Sequence, residues 1–402
     1  MIPVLIVLNA GSSSLKFQVY DMVDGAEPRL VWKGLYEGLG GAARFAVKDK
    51  GGAILEEKTW DAGDETGHEA ALMHLVAWLS QFREERKPVA IGHRVVHGGE
   101  AFSVPVLVDE SVLQRLEALV PLAPLHQPHN LEPIRIVRRR LPGMPQVACF
   151  DTAFHQTQSD IATLFALPRE MRERGVRRYG FHGLSYDYVA SVLKDYDPQL
   201  AKGRVIVAHL GNGASLCALK DGVSTATTMG FSALDGLPMG TRCGAVDAGV
   251  IFFMLREMRL SPEEAESVLY KKSGLLGVSG ISNDMRVLRS KAAGDPNARR
   301  AIDLFVYRIT REIGSLVAAL GGLDGLVFTA GIGENDVATR AEVIGGLAWA
   351  GLTLDEAANR SGGPRISAGS GPTAWVVPTN EELVIARQTR SVLGATQTKL
   401  AS

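Results

Sequence analysis

Residues 5–19 read LIVLNAGSSSLKFQV, and residues 205–219 read VIVAHLGNGASLCAL. Both stretches place a turn of small residues between two apolar segments, which is typical of a β-hairpin. Because a turn of Gly, Ser and Asn presents backbone N–H groups and small side chains, either turn can bind a phosphate. A single hairpin of this kind is common. Its occurrence at the start of each half of the chain favours a duplicated two-domain architecture over two unrelated hairpins.

The sequence around the two hairpins alternates helical and strand patterns. A helix start at Ser261 has a capping side chain, a proline at the first position and acids in the first turn. Residues 297–320 have the apolar spacing of a long amphipathic helix that ends at Gly321, and residues 326–329 and 374–377 have the pattern of short strands. This mixture predicts an α/β protein with two sheets.

The length of the chain suits two domains better than one, since it has 402 residues. We expect the domain boundary near residues 150–153, where an apolar strand ends, and we expect the last helix to pack on the first domain. Residues 1–150 with 384–402 then form the N-terminal domain, and residues 151–383 form the C-terminal domain.

The composition limits the classes of partner. Hydrophobic residues make up 46% and charged residues 22% of the chain, which is typical of a globular protein with a sizeable core. The net charge is −1, so there is no basic field that would recruit nucleic acid or an anionic membrane surface. We expect neither partner. The charge of an anionic substrate must then be met by a few placed cations.

The cysteines and the N-terminus indicate the compartment. Cys149, Cys217 and Cys243 are odd in number and have no CxxC spacing, which disfavours a disulfide framework or a structural zinc site. Residues 1–11, MIPVLIVLNAG, lack a basic region and a cleavage site, so we expect a first strand there and no signal peptide. No run of about 18 apolar residues occurs. These features predict a cytoplasmic protein.

The common nucleotide-binding motifs are absent from the sequence. There is no GxxxxGK[ST] loop and no GxGxxG after a strand, so ATP, if bound, is held by an arrangement of residues other than these two motifs. The first turn, from Asn9 to Lys16, contains a glycine, three hydroxyls and a cation that could bind a phosphate, although most turns of this composition have no binding role. The GxSxG motif of serine hydrolases is missing as well.

Four further stretches hold candidate functional groups. Arg94 in GHRVVHGG ends a strand and can bind a carboxylate in bidentate fashion or form a surface ion pair. Asp151 in FDTAFH follows a strand and either orients a reacting group or caps a helix. His182 in RYGFHG either stabilises a phosphoryl group or is a structural hydrogen-bonding residue. Arg242 in GTRCG lies between glycines, as anion-clamping arginines do.

Together these groups meet the requirements of phosphoryl transfer. The reaction needs cations around the phosphate oxygens, a divalent metal, a loop for the phosphates and a clamp for the acceptor. The candidate cations are Lys16, Arg94, His182 and Arg242. Asn9 and Glu381 are candidate oxygen ligands of Mg²⁺, since this ion uses one or two protein oxygens besides phosphate and water.

Nine motifs, in their order along the chain, resemble those of the acetate kinase (acetokinase) family: NAGSSSLK, GHRVVHGG, APLH, FDTAFH, RYGFHG, HLGNGAS, GTRCG, FTAGIGEN and TNEEL. They span residues 9–383, almost the whole chain. The resemblance implies two duplicated actin-like ATPase (ribonuclease H-like) α/β domains flanking a nucleotide cleft, and a homodimer. It also implies reversible, Mg²⁺-dependent, in-line transfer of the ATP γ-phosphoryl group to acetate, which gives acetyl phosphate and ADP.

The resemblance further implies the metal and acceptor groups. Asn9 and Glu381 correspond to the magnesium ligands, with Mn²⁺ as an alternative ion. Asp151 corresponds to the residue that positions the metal or the acceptor and is described as the catalytic acid/base. A carboxylate acceptor is already ionised at pH 7, so a general base is hardly needed. His126 in APLH is similar to a second histidine near the transferring group.

The remaining implied residues contact the phosphoryl group and the nucleotide. Arg94 and Arg242 would bind the acceptor and the moving phosphoryl group, and His182 would stabilise the transition state. The first phosphate loop contains Ser12, Ser14 and Lys16. The second contains His209, Leu210, Gly211, Asn212 and Gly213. The nucleotide-binding turn contains Gly331, Ile332, Gly333, Glu334 and Asn335. The segment against the adenosine contains Asp284, Met285 and Arg286.

The family lines the apolar end of its acceptor with valine, leucine, phenylalanine and proline. The matching residues are Val96, Leu125, Phe181 and Ala233, so an alanine replaces the proline. The smaller side chain leaves room for another carbon, and each buried methylene contributes roughly 0.8 kcal/mol. We therefore expect propionate to be a better relative substrate than for the usual family member. Other departures from the family pattern are Gln127 for asparagine, Tyr186 for histidine, and Ala245 and Ala248.

Three alternatives stay open at the level of the sequence. Propionate or another short-chain carboxylate can be the physiological acceptor. A sugar kinase of the same superfamily is disfavoured, because a hydroxyl acceptor has no need of Arg94. An actin- or chaperone-like ATPase module shares the fold and both turns, but it has no reason to carry Arg94, His182 and Arg242 together. ATP hydrolysis that no carboxylate affects would favour this module.

Overall fold

The computed structural model describes residues 1–23, 26–61, 64 and 66–401. The chain forms two compact units: unit 1 comprises Met1–Ala153 with Asn380–Ser402, and unit 2 comprises Phe154–Thr379. The functional domain limits expected from the sequence, at residues 150 and 384, stay a prediction. Among the residues described, no helix combines the length and the apolar composition needed to cross a membrane.

Unit 1 is built on a mixed β-sheet. Its described strands, β1 to β8, span Ile2–Ala10, Ser14–Asp21, Arg29–Glu37, Arg44–Asp49, Ile54–Thr59, Arg86–Val95, Val106–Leu107 and Gln146–Phe150. Their order in the sheet is β5-β4-β3-β2-β1-β6-β8-β7. β1 pairs antiparallel with β2 and parallel with β6, and β6 pairs parallel with β8. The C-terminal ends of β1, β6 and β8 therefore lie at the same edge of the sheet.

Helices cover both faces of this sheet. The helices of unit 1, α1, α2, α3 and the C-terminal α15, span His68–Ser80, Glu110–Glu117, Gln127–Arg140 and Glu381–Ala401. A Cβ at Gly92 on β6 would contact Thr389 of α15, whereas the adjacent Ile91 packs in a core cluster with Ile136 of α3. Because neighbouring residues of a strand face opposite sides, α15 and α3 cover opposite faces. Gly92 is thus required by the close approach of α15.

The sheet of unit 2 repeats the central part of the sheet of unit 1. Its described strands, β9 to β13, span Arg204–Leu210, Ala214–Lys220, Val223–Thr227, Gly325–Thr329 and Thr373–Val376. Their order is β11-β10-β9-β12-β13, which matches β3-β2-β1-β6-β8 in unit 1. The directions match as well, with two antiparallel pairs followed by two parallel pairs. This confirms the duplicated α/β fold and both predicted hairpins.

Two helices of unit 2 have the bounds that the sequence predicts, the start of α8 after Ser261 and the end of α11 at Gly321. Helices α4 to α14 span Asp160–Thr163, Arg169–Glu173, Gly183–Tyr196, Ala248–Arg256, Pro262–Lys271, Gly274–Ser279, Met285–Lys291, Pro296–Leu320, Ala330–Asn335, Val337–Gly345 and Glu356–Ser361. Short 3-10 helices span Val120–Leu122, Ala153–Thr157, Leu200–Lys202 and Ala348–Ala350. Ser261 starts α8 with a capping box to Glu264. The long helix α11 ends at Gly321, φ 70°, and packs on β9, β10 and β11.

Candidate active site

The first candidate phosphate turn links β1 to β2. The turn is closed by the Gly11 N–H, which donates to the Ser14 carbonyl oxygen at 2.9 Å. The Gly11 carbonyl oxygen lies 2.8 Å from His68 Nε2, so α1 supports the turn from outside. Ser12 is exposed, and its hydroxyl is therefore accessible to an anion.

A cavity of about 340 Å³ lies beside this turn in unit 1. It is lined by Asn9, Ala10, Gly11, Ser12, Ser14, Lys16, Arg94, Val96, Leu125, His126, His129 and Asn130. The structure thus brings together the first phosphate turn, the predicted metal ligand Asn9, the cations Lys16 and Arg94, and the apolar wall formed by Val96 and Leu125.

A bidentate ion pair lies at the edge of the sheet where β1, β6 and β8 end. Arg94 Nη2 and Nε donate to the two carboxylate oxygens of Asp151 at 2.5 and 3.0 Å, and Arg94 Nη1 donates to Asn9 Oδ1 at 3.3 Å. The Asp151 side chain is 2% exposed and that of Arg94 is 24% exposed, so this is not a surface ion pair. Because both oxygens of Asp151 accept from Arg94, a role in the site is favoured over a helix cap.

Glu381, the first residue of α15, adds a second, partly buried carboxylate to this cluster. Burial raises the pKa of Glu381 to about 7; the charges of Asp151 and Glu382 add to this effect, and those of Arg94 and Lys16 oppose it. Burial lowers the pKa of Arg94, but the adjacent Asp151 outweighs burial, so the net effect is a raised pKa. The cluster holds more negative charge than Arg94 neutralises, and a further cation would stabilise it.

The donor atoms of this cluster fit a magnesium ion. In the part of the chain that the structure describes, no group of three or more His, Cys, Asp and Glu side chains could hold a metal ion. Mg²⁺ does not need such a group, because phosphate and water supply most of its ligands. Asn9 Oδ1 and the Glu381 carboxylate are oxygen donors of the kind that this ion prefers.

Two stacked histidines lie at the second hairpin, in unit 2. The rings of His182 and His209 are 4.2 Å apart, with 19° between their planes. His182 precedes α6 with a left-handed backbone, φ 58°, which is strained for a residue with a side chain. His182 Nδ1 lies 2.8 Å from Ser215 Oγ, and His209 Nδ1 lies 2.8 Å from Ser185 Oγ. A serine hydroxyl therefore orients each ring.

Arg242 borders the same glycine turn as His182. A Cβ at Gly213 would lie 3.2 Å from His182 Nε2 and 3.4 Å from Arg242 Nη2. Arg242 Nη1 donates to the Ala233 carbonyl oxygen at 2.7 Å. The structure thus brings together the second turn, the predicted transition-state groups and one predicted residue of the acceptor pocket.

The glycines on either side of Arg242 are required by close packing. A Cβ at Gly240 would lie 1.9 Å from Asn212 Oδ1. A Cβ at Gly244, φ +70°, would lie 2.5 Å from the backbone of Leu237. The loop that carries Arg242 therefore lies directly against the second turn, which explains the glycines seen in the sequence.

A larger cavity, of about 690 Å³, lies in unit 2. It is lined by Gly211, Asn212, Asn283, Asp284, Met285, Arg286, Arg289, Gly331, Ile332, Asn335 and Asp336. The second turn, the predicted adenosine segment and the predicted nucleotide-binding turn meet here. The other predicted nucleotide residues are not part of the lining: His209, Leu210, Gly213, Gly333 and Glu334.

Sequence reasoning missed two residues of α3 that support the first cavity. Asn130 Nδ2 donates to the Ala10 carbonyl oxygen at 2.7 Å, and Asn130 Oδ1 accepts from the Val96 N–H at 2.8 Å. Gln127, noted only as a departure, is buried and bonds both the N–H and the carbonyl oxygen of His97. Both side chains therefore hold the ends of β1 and β6 in place. Their only sequence signal is that they follow the APLH motif.

Two arginines that support the larger cavity were missed as well. Arg289 of α10 donates to Asp336 and Thr339, and to Glu342 at 2.7 and 3.0 Å. Arg340 of α13 is only 1% exposed, and its donors bond the carbonyl oxygens of Gly333 and Glu334 and the side chain of Asn359. Arg340 thus holds α12, the helix that the structure has in place of the predicted turn Gly331–Asn335, whereas Arg289 holds the start of α13. No motif marks either arginine.

The predicted acceptor residues divide between the two units. Val96, Leu125 and His126 belong to unit 1, whereas Phe181 and Ala233 belong to unit 2. Phe181 is buried, and its carbonyl oxygen lies 2.9 Å from His155 Nε2. Unit 1 therefore has a cavity lined by residues predicted for the acceptor, and unit 2 has a cavity lined by residues predicted for the nucleotide.

The repeated sheet order and a phosphate-type turn after the first strand of each unit define the class of protein: it has the actin-like ATPase fold of the acetate and sugar kinases. The model of the acetokinase family matches residues 4–387. The chain belongs to the acetokinase family.

Known relatives resemble the chain over almost its full length. An acetate kinase of Rhodopseudomonas palustris is 52% identical over 392 residues, which cover 96% of this chain and 98% of the relative. A crystal structure of a propionate kinase from Francisella tularensis matches 97% of this chain and 100% of its own, with a TM-score of 0.91 and 38% identity. The acetate kinase of Porphyromonas gingivalis covers the same shares, with a TM-score of 0.86 and 37% identity.

Proposed function

We propose that this protein catalyses the reversible, Mg²⁺-dependent transfer of the γ-phosphoryl group of ATP to acetate, which gives acetyl phosphate and ADP. The observation that carries the proposal is the composition of the 340 Å³ cavity. There a phosphate-type turn, a guanidinium that suits a carboxylate, and a small apolar wall line one space. This is the set of groups that a short-chain carboxylate and a phosphoryl group need together.

The acceptor binds through Arg94. Its guanidinium is held by two parallel hydrogen bonds from Nε and Nη2 to the Asp151 carboxylate, and the remaining N–H donors of Nη1 and Nη2 suit the carboxylate of acetate. Val96 and Leu125 contact the methyl group, together with Phe181 and Ala233. The acceptor oxygen is already ionised at pH 7, so the reaction needs positioning more than a general base. Asp151 supplies that positioning by orienting Arg94.

The nucleotide binds in the 690 Å³ cavity of unit 2. The turn Gly331–Asn335 and the segment Asp284, Met285 and Arg286 hold the adenosine. The second turn, His209 to Gly213, holds the phosphates, and Ser12, Ser14 and Lys16 of the first turn hold the phosphoryl group from the acceptor side. This assignment gives the adenosine to unit 2 and the acceptor carboxylate to Arg94 of unit 1, within functional domains of residues 1–150 with 384–402 and 151–383.

His182 and Arg242 act on the transferring group. Both border Gly213 at the second turn, where charge on the phosphoryl oxygens can be met by an N–H donor and a guanidinium. Mg²⁺ enters as part of the MgATP substrate, with Mn²⁺ as an alternative. Asn9 and Glu381 would hold the ion, which when bound neutralises phosphate charge.

The proposal includes a homodimer in the cytoplasm. Helix α7 has no buried residue, and Phe252, Phe253 and Met258 are 52%, 55% and 54% exposed. An apolar helix of this kind suits a second copy of the chain. Sedimentation of the wild type is expected to give the mass of two chains, and Phe252→Asp with Phe253→Asp the mass of one. A wild type that sediments as a monomer would rule out the dimer.

The decisive assay for the reaction traps the product. We would incubate the protein with MgATP, hydroxylamine and either acetate, propionate or butyrate, and measure acyl hydroxamate. Acetate is expected to give hydroxamate, and Arg242→Ala is expected to lower its rate by orders of magnitude. Arg169→Ala, which removes an exposed arginine of unit 2, is the control and should match the wild type. ATP turnover without hydroxamate would support an ATPase module instead.

A further inference from the structure

Tyr186 is buried beside the stacked histidines, where the family pattern has histidine. Its side chain is 0% exposed on α6, one turn after His182. Its hydroxyl lies 2.5 Å from Ser215 Oγ, and Ser215 Oγ lies 2.8 Å from His182 Nδ1. The phenol, the serine and the imidazole thus form a continuous chain of hydrogen bonds that ends at a residue of the proposed site.

The surrounding packing keeps the Tyr186 ring in place. The ring lies edge-on to His209 at 6.4 Å and to His155 at 5.6 Å. His209 in turn stacks on His182 at 4.2 Å. Ser215 is also fully buried, on β10. Burial and ring contacts therefore restrict the orientations of these side chains, which a positioning role requires.

The direction of the hydrogen bonds follows from the acidity of the two hydroxyls. A phenol is the more acidic and the better donor, so in a pair with an alkyl hydroxyl the tyrosine donates. Ser215 has a single proton, and with Tyr186 as donor that proton is directed to His182 Nδ1. A neutral imidazole that accepts at Nδ1 carries its proton on Nε2.

We propose, resting on the function proposed above, that Tyr186 acts through Ser215 as a positioning residue that fixes His182 in the tautomer protonated at Nε2. His182 Nε2 is the nitrogen beside Gly213 and Arg242. An N–H at that place donates to a phosphoryl oxygen of the transition state, whereas the other tautomer presents a lone pair to the anion and repels it. Tyr186 contacts no substrate in this scheme.

The test uses Tyr186→Phe, which removes only the hydroxyl, in the full-length protein. With ¹⁵N-histidine labelling, and His182→Gln to assign the signal, the His182 ring nitrogens of the wild type are expected to show one tautomer with the proton on Nε2. Tyr186→Phe is expected to show a mixture of tautomers and to lower kcat about tenfold or more. The KM values for ATP and acetate should stay within about twofold, because ground-state binding does not use the hydroxyl.

Tyr196→Phe, on the same helix but outside the chain of hydrogen bonds, is the control and should behave as the wild type.

A double-mutant cycle distinguishes a positioning role of the two hydroxyls from a non-specific loss of structure in the variants. Ser215→Ala is expected to lower kcat as Tyr186→Phe does, and the double variant should lose no more than either single variant, because the two hydroxyls act in series. Additive losses, an unchanged tautomer or an unchanged kcat would overturn the proposal. The nitrogen spectra need no turnover, and wild-type hydroxamate formation tests the reaction alone, so failure of this inference is distinct from failure of the proposed function. If Tyr186→Phe does not fold, the spectrum and kcat of Ser215→Ala decide the question.

Discussion

Arg94 shows how one residue links the stability of unit 1 to the chemistry proposed for it. Its guanidinium bonds both oxygens of Asp151 and the side-chain oxygen of Asn9. Removing it leaves the buried Asp151 carboxylate without its ion-pair partner, and an unpaired buried charge is costly. The same guanidinium is the proposed carboxylate clamp, so binding and stability are expected to fall together.

Arg94→Ala is expected to raise the KM for acetate by about 10- to 100-fold, the range for a lost charge-assisted hydrogen-bond pair. The temperature of unfolding should fall as well, because Asp151 loses its partner. Steady-state kinetics and calorimetry measure both effects. Arg135→Ala, which breaks a half-exposed ion pair with Glu117 in the same unit, is the control. An unchanged KM for acetate would refute the clamp.

Ala233 is predicted to limit how much carbon the acceptor pocket can hold. Its carbonyl oxygen is bonded to Arg242, a contact that a proline would keep, and its side chain is small and 9% exposed. Ala233→Pro is expected to lower the propionate-to-acetate ratio of kcat/KM by about fourfold, which corresponds to one methylene. Ala233→Val fills the same volume without a ring and should act in the same direction. A ratio that neither variant changes would mean that residue 233 does not line the pocket.

At the scale of elements, the turn Gly331–Asn335 depends on helices that lie behind it. Arg340, on α13, donates to the Gly333 and Glu334 carbonyl oxygens at 3.0 and 2.7 Å. It also bonds the side chain and the carbonyl oxygen of Asn359 on α14. This buried guanidinium therefore connects α12, α13 and α14, and it holds in place α12, which carries the predicted nucleotide-binding residues.

Arg340→Met keeps much of the side-chain length but leaves these oxygens without a donor. The free energy of unfolding is expected to fall by about 2–4 kcal/mol, and the KM for ATP should rise while the KM for acetate stays unchanged. Denaturant unfolding and kinetics with each substrate varied in turn are the measurements. Arg360→Met, at a 66% exposed position of α14, is the control. Equal effects on both KM values would argue against a local role for Arg340.

The elements predicted from the sequence are those with a local signal. Both hairpins, the capping box at Ser261 and the end of α11 at Gly321 follow from the order of apolar and small residues. The contacts of Asn130, Arg340 and the pair of Tyr186 and Ser215 do not, because each joins residues far apart in the sequence. Such contacts depend on how helices pack on a sheet, which no single motif encodes.

At the scale of the whole molecule, buried histidines make stability depend on pH. Burial lowers the pKa of His93, His97 and His155 to about 4, from an ordinary value of 6.5. In the unfolded chain these histidines become protonated below about pH 6.5, whereas in the folded chain they stay neutral down to about pH 4. The free energy of unfolding therefore falls as the pH is lowered through this range. Glu381 has the opposite effect on the free energy of unfolding, because its pKa is raised to about 7 in the folded chain, so its protonation on acidification stabilises the fold.

The destabilising effect of the three histidines on acidification exceeds the stabilising effect of the one glutamate. The temperature of unfolding is therefore expected to fall as the pH is lowered from 6.5 to 4.5. Each histidine changes the free energy of unfolding by up to roughly 1.4 kcal/mol per pH unit. Calorimetry across this range measures the effect, and His93→Gln should make the pH dependence shallower. A stability that stays constant or rises on acidification would contradict the assigned pKa directions.

The family and its fold were readable from the sequence to a large extent, because nine motifs occur in the family's order. Five of them lie at the ends of strands: NAGSSSLK, GHRVVHGG, FDTAFH, HLGNGAS and FTAGIGEN. The division of the acceptor residues was readable as well, since the expected boundary near residues 150–153 places Val96 and Ala233 in different domains. The side chains that support the site, such as Asn130, were not readable, because no local pattern gives their contacts. The site roles of Arg94, Asp151, His182 and Arg242 stay predictions. The contact of Arg94 with Asp151 in unit 1 and the closeness of His182 and Arg242 to Gly213 in unit 2 support them.

The most direct test of the central claim is ³¹P NMR of the protein with MgATP and acetate. The account predicts that acetyl phosphate and ADP appear in equal amounts, and that MgADP added to acetyl phosphate gives ATP. Inorganic phosphate in place of acetyl phosphate, at a rate that acetate does not change, would contradict it.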